Sequence, residues 1–256
     1  MIDYELDDHI ATITINRPDA RNAVNGAVAT GIEEAIDTLE NDDDAWVGIL
    51  TGARTAKGHI FCAGADLKEI AVNPGAMMTE RGGFAGIVQR ERAKPIIAAV
   101  DGPALAGGTE IVLSCDLVVA SDTATFGIPE VKRNLVAGAG GLFRLPRKLP
   151  RNIAMECALT GDPIDAARAH AYGLVNHLCS EGEALATARE LAARITRSAP
   201  LAVRESRRIM LASTDEPDEV GWKLSGEGMM KMFGTEDFSE GITAFAEKRD
   251  PVWKGR

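Results

Sequence analysis

What this 256-residue chain lacks already bounds it. It has no excess of positive charge, since 28 Lys and Arg stand against 38 Asp and Glu for a formal net charge of −10. Attraction to nucleic-acid phosphates or anionic membranes rests on cationic patches, so neither partner is expected. Cysteine is sparse: Cys62, Cys115, Cys157 and Cys179 fall into no CxxC pair and no metal-ligand spacing. They read as buried reduced thiols in a reducing compartment. No apolar run approaches the roughly 20 residues that cross a bilayer. The opening MIDYELDDHI is acidic rather than a charged-then-apolar leader, and a cytoplasmic protein is the expectation. The four histidines form no HExxH, and His170 and His177 straddle Gly173, so no metal site is expected. There is no Walker-type loop and no GxGxxG; GAGG at Gly138–Gly141 is too short to stand for one.

What is present is ordinary for a globular chain, 45% apolar and 26% charged. The length fits one large domain, or one domain with a helical appendage. Ile10, Thr12 and Thr14 alternate with Ala11, Ile13 and Ile15, the period of a strand. Val28, Ile32, Ile36 and Leu39 recur at helical spacing within Ala27–Leu39, and Asn25 is placed to cap that helix. Trp46–Leu50 is apolar almost throughout, as strands covered on both faces are. Ala71–Gly86 carries Pro, four Gly and two Met without periodicity, and reads as a mobile loop able to lid a pocket; a surface excursion without function fits the same composition equally well. Lys94–Asp101 is strand-like and runs towards a central helix; Leu117–Ala120 and Ala124–Ile128 are two further short strands. From about Gly140 the chain turns helical. Helices are expected from Pro150 to Gly161, from Asp165 to Gly173, around Leu185–Ile195, and then over Leu201–Leu211, Val220–Phe233 and Phe238–Ala246.

The chemistry concentrates at Ala104–Asp116, ALAGGTEIVLSCD, read with FCAGAD at Phe61–Asp66. Gly107 and Gly108 allow a close backbone approach, and the apolar Ile111–Leu113 behind them predicts a buried helix. A helix start offers free N–H donors and partial positive charge. Glu110 lies one turn from those donors, so the unit has the parts to hold an oxyanion and move a proton beside it. A first-turn Glu that only complements the helix dipole fits the same residues.

The ordered set carries more than any one piece. NRPDARNA at Asn16–Ala23, FCAGADLKEI at Phe61–Ile70, DGPALAGGTEIVLSCDLVVAS at Asp101–Ser121 and FGIPEVK at Phe126–Lys132 occur in turn. GAGG, LTGDPIDAARAHAYGLVN at Leu159–Asn176 and EGITAFAEKRDPVWKGR at Glu240–Arg256 complete the series. Together they resemble an enoyl-CoA hydratase of the crotonase superfamily across nearly the whole chain. The resemblance implies an α/β fold: a crotonase-type spiral of strand–strand–helix units over residues 1–195, then a C-terminal helical oligomerisation region over 196–256. It implies a homotrimer, or a hexamer of two trimers, and an acyl-CoA thioester substrate with no separate cofactor, coenzyme A being part of the substrate. The thioester oxygen would sit in an oxyanion hole made by the N–H groups of Ala65 and Gly107. Glu110 and Glu130 would be the catalytic pair, holding a water for addition to the trans-2 double bond. Ala20, Arg21, Ala23, Ala63, Asp66, Leu67 and Lys248 would contact the substrate and its CoA.

Some positions depart from the family pattern. Ala106 replaces the first glycine of a common GGG, Lys132-Arg133-Asn134 brings charge near Glu130, Ala137 replaces a frequent Pro, and Asp19 stands where a basic residue is usual. Asp66 has the position of a helix cap. An isomerase or a carnitinyl-CoA-type dehydratase of the same superfamily fits the same motifs, with LFRLPRKLP at Leu142–Pro150 favouring the latter. A non-catalytic acyl-CoA-binding protein is the reading from another class, and the acidic balance speaks against an RNA-binding one.

Overall fold

In a computed structural model, which describes residues 1–73 and 75–256, the alternating hydrophobics become a large sheet with a core on each face. β1 (Ile2–Asp7) pairs antiparallel with β2 (Ile10–Ile15), Ile2 opposite Ile15. Helix α1 (Gly26–Asn41) follows, its first turn capped by Asn25, whose side chain accepts from the Val28 N–H at 2.9 Å. β3 (Val47–Gly52) then adds to β2 in parallel. After α2 (Leu67–Val72) come the two-residue strands β4 (Met78–Thr79) and β5 (Gly83–Phe84). β6 (Ile96–Val100), β7 (Pro103–Leu105) and α3 (Gly107–Ser114) form the next strand–strand–helix unit. β8 (Leu117–Ser121) and β9 (Thr125–Gly127) lead into a short helical turn at Pro129–Arg133. Helices α4 (Gly141–Lys148), α5 (Arg151–Thr160) and α6 (Ala166–Ala171) are interleaved with β10 (Ile164–Asp165) and followed by β11 (His177–Cys179). The chain ends in α7 (Ala184–Thr196), α8 (Pro200–Ser213), α9 (Asp218–Met232) and α10 (Glu236–Glu247).

The six-stranded sheet runs β1-β2-β3-β6-β8-β11, and β10-β9-β7 make a second, three-stranded sheet. Strand periodicity decides what each face buries. Ala11, Ile13, Ile15, Leu50, Ala98 and Val100 join α1 and α3 in the main core. Ile10, Val47, Ile49, Ile97, Ala99 and Val119 point the other way, onto Ala184, Ala188 and Ala192 of α7. Alanines four apart let that helix lie close to the sheet. The spiral alternation expected from the sequence is therefore the observed architecture. The strands that went unread are an acidic, mostly exposed edge, β1, and the two- and three-residue pieces β4, β5, β7, β10 and β11.

One expectation is corrected. The segment Ala71–Gly86 is not a free lid. Pro74 within it lies outside the described residues, but Met77, Phe84 and Ala85 are buried in the main core. Arg81 pairs with Glu33 and Asp37 of α1, and Arg90 also reaches Asp37. Arg81 in the hairpin turn and Arg90 after it, with the buried Phe84 between them, fix this part of the segment to α1.

The helical extension is tied to the core by a second cluster. Asp116, at the end of α3, accepts from Arg92 Nη2 at 3.1 Å, Arg207 Nε of α8 at 2.9 Å and the Ile96 N–H at 2.9 Å. Burial pushes the Asp116 carboxyl up, but Arg92 and Arg207 outweigh it and hold it below the ordinary range. Removing one partner of such a pair is costly because the other charge stays desolvated. Arg207→Met should destabilise the fold by up to about 3 kcal/mol, Arg92 remaining as a partner for Asp116. Thermal melts with hydrogen exchange would show the loss concentrated in α8, with β6 still protected; an unchanged melt would refute the clamp.

Candidate active site

The start of α3 is shaped before any side chain enters it. β7 delivers the chain to Ala106, which takes φ +53° and ψ −127° and donates its N–H to the Gly127 carbonyl at 2.8 Å. Glycine adopts that backbone freely; for alanine it costs about 1–3 kcal/mol. The Ala106 departure from the family pattern is thus not neutral for the backbone. Thr109 locks the turn, its Oγ1 lying 2.7 Å from Ala104 O and 2.8 Å from Gly127 O while accepting from the Gly127 N–H at 3.0 Å.

A second backbone segment lies on this one. The Ala63 N–H donates to Arg21 O at 3.1 Å, Val24 N–H to Gly64 O at 2.8 Å, and Asp66 N–H to Val24 O at 2.8 Å. Gly64 has φ +89°, and a Cβ there would stand 2.8 Å from the Ala106 Cβ and 3.1 Å from the Gly107 nitrogen. The Ala63–Ala65 turn therefore sits directly against the start of α3. Among the described residues, neither the Ala65 N–H nor the Gly107 N–H donates to a protein acceptor. Two unused donors on adjacent backbone segments are what an oxyanion hole requires. Phe84 closes one side: a Cβ added at Gly107 would be 2.5 Å from its ring.

Glu110 is buried at 3% exposure, on the first turn of α3. Its Oε1 accepts from the Ala139 N–H at 2.7 Å and the Gly141 N–H at 2.9 Å, and among the described residues Oε2 takes no hydrogen bond. Burial raises its pKa; the two N–H donors and the Arg144 charge pull against that rise without cancelling it. Glu130 lies in the helical turn after Pro129, with Oε2 buried and, among the described residues, unpartnered. Its pKa is raised by burial first; a backbone hydrogen bond opposes this, and the nearby negative charge of Glu110 adds to it. The two carboxyls are thus close enough for the charge of one to act on the other. Lys132, which the sequence placed near Glu130, is paired with Asp162 instead.

The remaining candidates divide into two groups. Ala20 ends a short helical turn, Arg21 follows in a left-handed conformation (φ +55°), and the Ala23 carbonyl accepts from Arg17 Nη1 at 3.1 Å. This strip runs beside Ala63–Asp66, so Ala20, Arg21, Ala23, Ala63 and Asp66 are brought together. Asp66 caps α2 through the Lys68 N–H at 2.9 Å and pairs with Arg17 at 2.7 Å, which holds its carboxyl below the usual range. Leu67 next to it is 56% exposed. Lys248 stands on the helical extension: it closes α10 in a left-handed conformation, and α10 lines a cavity with Ala202 of α8, Met232 of α9 and Trp253. The sequence reading missed the N–H groups of Ala139 and Gly141, whose signal was the GAGG run, and Phe84, hidden in the supposed lid.

Over residues 5–256 the sequence matches the family described as enoyl-CoA hydratase/isomerase. The chain belongs to that family. It is 40% identical over 254 residues to the mevalonyl-coenzyme A hydratase of Aspergillus fumigatus, covering 96% of this chain and 92% of that protein. A carnitinyl-CoA dehydratase of Salmonella heidelberg is also 40% identical over 254 residues, covering 96% and 95%. A solved probable enoyl-CoA hydratase/isomerase from Mycobacterium abscessus superposes with a TM-score of 0.93 at 52% identity, over 100% of this chain and 98% of that one. The chain is thus an enzyme of the crotonase superfamily, among relatives named hydratases and dehydratases.

Burial of Glu130 makes a stability statement. A carboxyl whose folded pKa is raised binds its proton more tightly folded than unfolded, so its favourable contribution is present at low pH and is lost as pH rises through the folded value. Glu130→Gln removes the charge that resists burial. The variant should melt like the wild type near about pH 4 and above it near pH 7, the gain growing with pH. A constant or shrinking difference would contradict this environment for Glu130.

Proposed function

We propose that this member of the family is an enoyl-CoA hydratase acting on trans-2-enoyl thioesters. The observation that carries the reading is the unpartnered, buried Oε2 of Glu130 beside a Glu110 whose Oε1 is already held by two N–H groups. An orphaned buried acceptor requires a partner, and a water held between two carboxyls supplies one. The environments also divide the roles. Glu110 has backbone donors and a cation to favour its charge, so it takes the proton from water. Glu130 has the neighbouring Glu110 charge against ionisation, so it keeps a proton to give.

In the forward step the water oxygen bonds to C3 as its proton passes to Glu110. The C2–C3 π electrons move towards the thioester, whose oxygen takes up negative charge between the Ala65 and Gly107 N–H groups. Glu130 then protonates C2. The pair ends with one proton moved from Glu130 to Glu110, and exchange through the site restores it. Preorganised donors of this kind are worth about 2.7–4 kcal/mol each in the barrier. In this reading Ala20, Arg21, Ala23, Ala63, Asp66 and Leu67 line the path of the CoA, and Lys248 reaches its phosphates from the helical extension. That extension exposes Met210, Trp222, Met229, Met230 and Phe245, an apolar surface that supports assembly as a homotrimer or a pair of trimers. Loss of water from a 3-hydroxyacyl-CoA uses the same groups in reverse, and the likeness to a carnitinyl-CoA dehydratase favours it as the second reading.

The test is a panel of enoyl-CoA thioesters, from short linear to bulky, followed by loss of enoyl absorbance. On the best substrate, Glu110→Gln and Glu130→Gln should each lower kcat by about 10²–10⁴ with little change in KM. The double variant should lose much less than the product of the two, because the carboxyls act on one step. Wild-type hydration in either single variant would overturn the assignment.

A further inference from the structure

Arg144, on the first turn of α4, touches none of the reacting atoms in the chemistry above, yet it sits where the Glu110 cradle is made. Its Nη2 donates to the Val88 carbonyl, on the segment that carries Phe84, and its Nη1 is buried and has no partner among the described residues. The Gly140-Gly141 step is flanked by both side chains. A Cβ at Gly140 would stand 2.7 Å from Arg144 Nη1, and one at Gly141 would stand 3.1 Å from Glu110 Oε1. The same step supplies the Gly141 N–H to Glu110. Phe143 lies under the guanidinium, its ring centroid 5.4 Å from the Arg144 Cζ.

We propose that Arg144 is a positioning residue for Glu110: it fastens the Gly140-Gly141 turn to Val88 and sets a fixed positive charge beside the carboxylate held by that turn. The inference rests on the reading of Glu110 as the water-activating group. The charged and titratable neighbours are few. Glu110 faces Arg144 from α4 and Glu130 from the turn after Pro129; Arg144 in turn faces Arg92, Arg147 and the Cys115 thiol. Arg92 is engaged by Asp116, and burial drives the Cys115 thiol up to about 12, so it stays neutral. Arg144 is the cation left to favour ionised Glu110. A cation within reach of a buried carboxylate lowers its pKa by about 1–3 units, so losing it moves the titration to higher pH.

The experiment uses the full-length protein with a short-chain 2-enoyl-CoA. Arg144→Met should lower kcat about tenfold or more with KM changed less than about twofold, since the substrate is not touched. The acid limb of its kcat/KM profile should move up by about one pH unit. Arg144→Lys returns the charge and should bring the limb back, leaving a smaller loss in kcat. If Arg144→Met fails to fold, Arg144→Gln, which keeps a donor without the charge, takes its place. An acid limb unmoved in the neutral variant overturns the proposal, even where kcat falls, because a merely structural role gives that result. Glu110→Gln in the same assay separates the two claims. Full activity there removes the reading of Glu110; its loss with an unmoved limb in the neutral Arg144 variant removes only the role of Arg144.

Discussion

At Gly64 the chain passes so close to the Leu105–Gly107 backbone that a Cβ would stand 2.9 Å from Leu105 O and 3.1 Å from the Gly107 nitrogen. This contact joins two segments more than forty residues apart and leaves the Ala65 and Gly107 N–H groups unused. The rest of the spiral exists to hold it. Residues 103–105 pair with β9, which steadies Ala106 through Gly127; the strip from Arg21 to Val24 holds the Ala63–Asp66 turn from the other side. The strained Ala106 conformation persists because those surroundings leave it no alternative. In the proposed reaction, folding energy is thereby converted into donors that need no rearrangement as charge develops on the thioester oxygen.

The same layout explains why the glutamates differ. Both are desolvated, which raises the pKa of each and opposes stability at neutral pH. Glu110 is compensated by two backbone N–H groups from the turn before α4, whereas Glu130 keeps a buried oxygen with nothing opposite it. An uncompensated polar atom of this kind is a cost, and the water proposed between the two carboxyls accounts for it. The site is therefore a place where the fold is less stable than it could be.

Much of this was legible in the residues. The period-two run at 10–15, the Asn25 cap and the helix behind Gly107 follow from local rules, and the structure has them at those positions. Glu110 was singled out by the glycines that open its helix, and Glu130 only by the order of motifs, since nothing local distinguishes it from a solvated residue after a proline; their catalytic roles belong to the proposed function. What escaped depends on partners distant in sequence. The cradle of Glu110 is made of backbone N–H groups at Ala139 and Gly141, which no side-chain pattern announces. The segment 71–86 looked free because glycine and proline dominate it, but Phe84 and the Arg81 ion pairs anchor it to α1, a contact visible only once the chain is folded. Arg144 reads as one more basic residue on a basic helix until its neighbours are known.

The central claim is that the two carboxyls add water across a double bond while backbone donors hold the enolate-like state. Isotope labelling tests it most directly. A short-chain 2-enoyl-CoA turned over in H₂¹⁸O should yield a 3-hydroxyacyl product carrying ¹⁸O at C3, and in D₂O one non-exchanged deuterium at C2, both formed at the rate of enoyl loss. Deuterium entering the acyl chain without ¹⁸O, the mark of a double bond moved rather than hydrated, would contradict it.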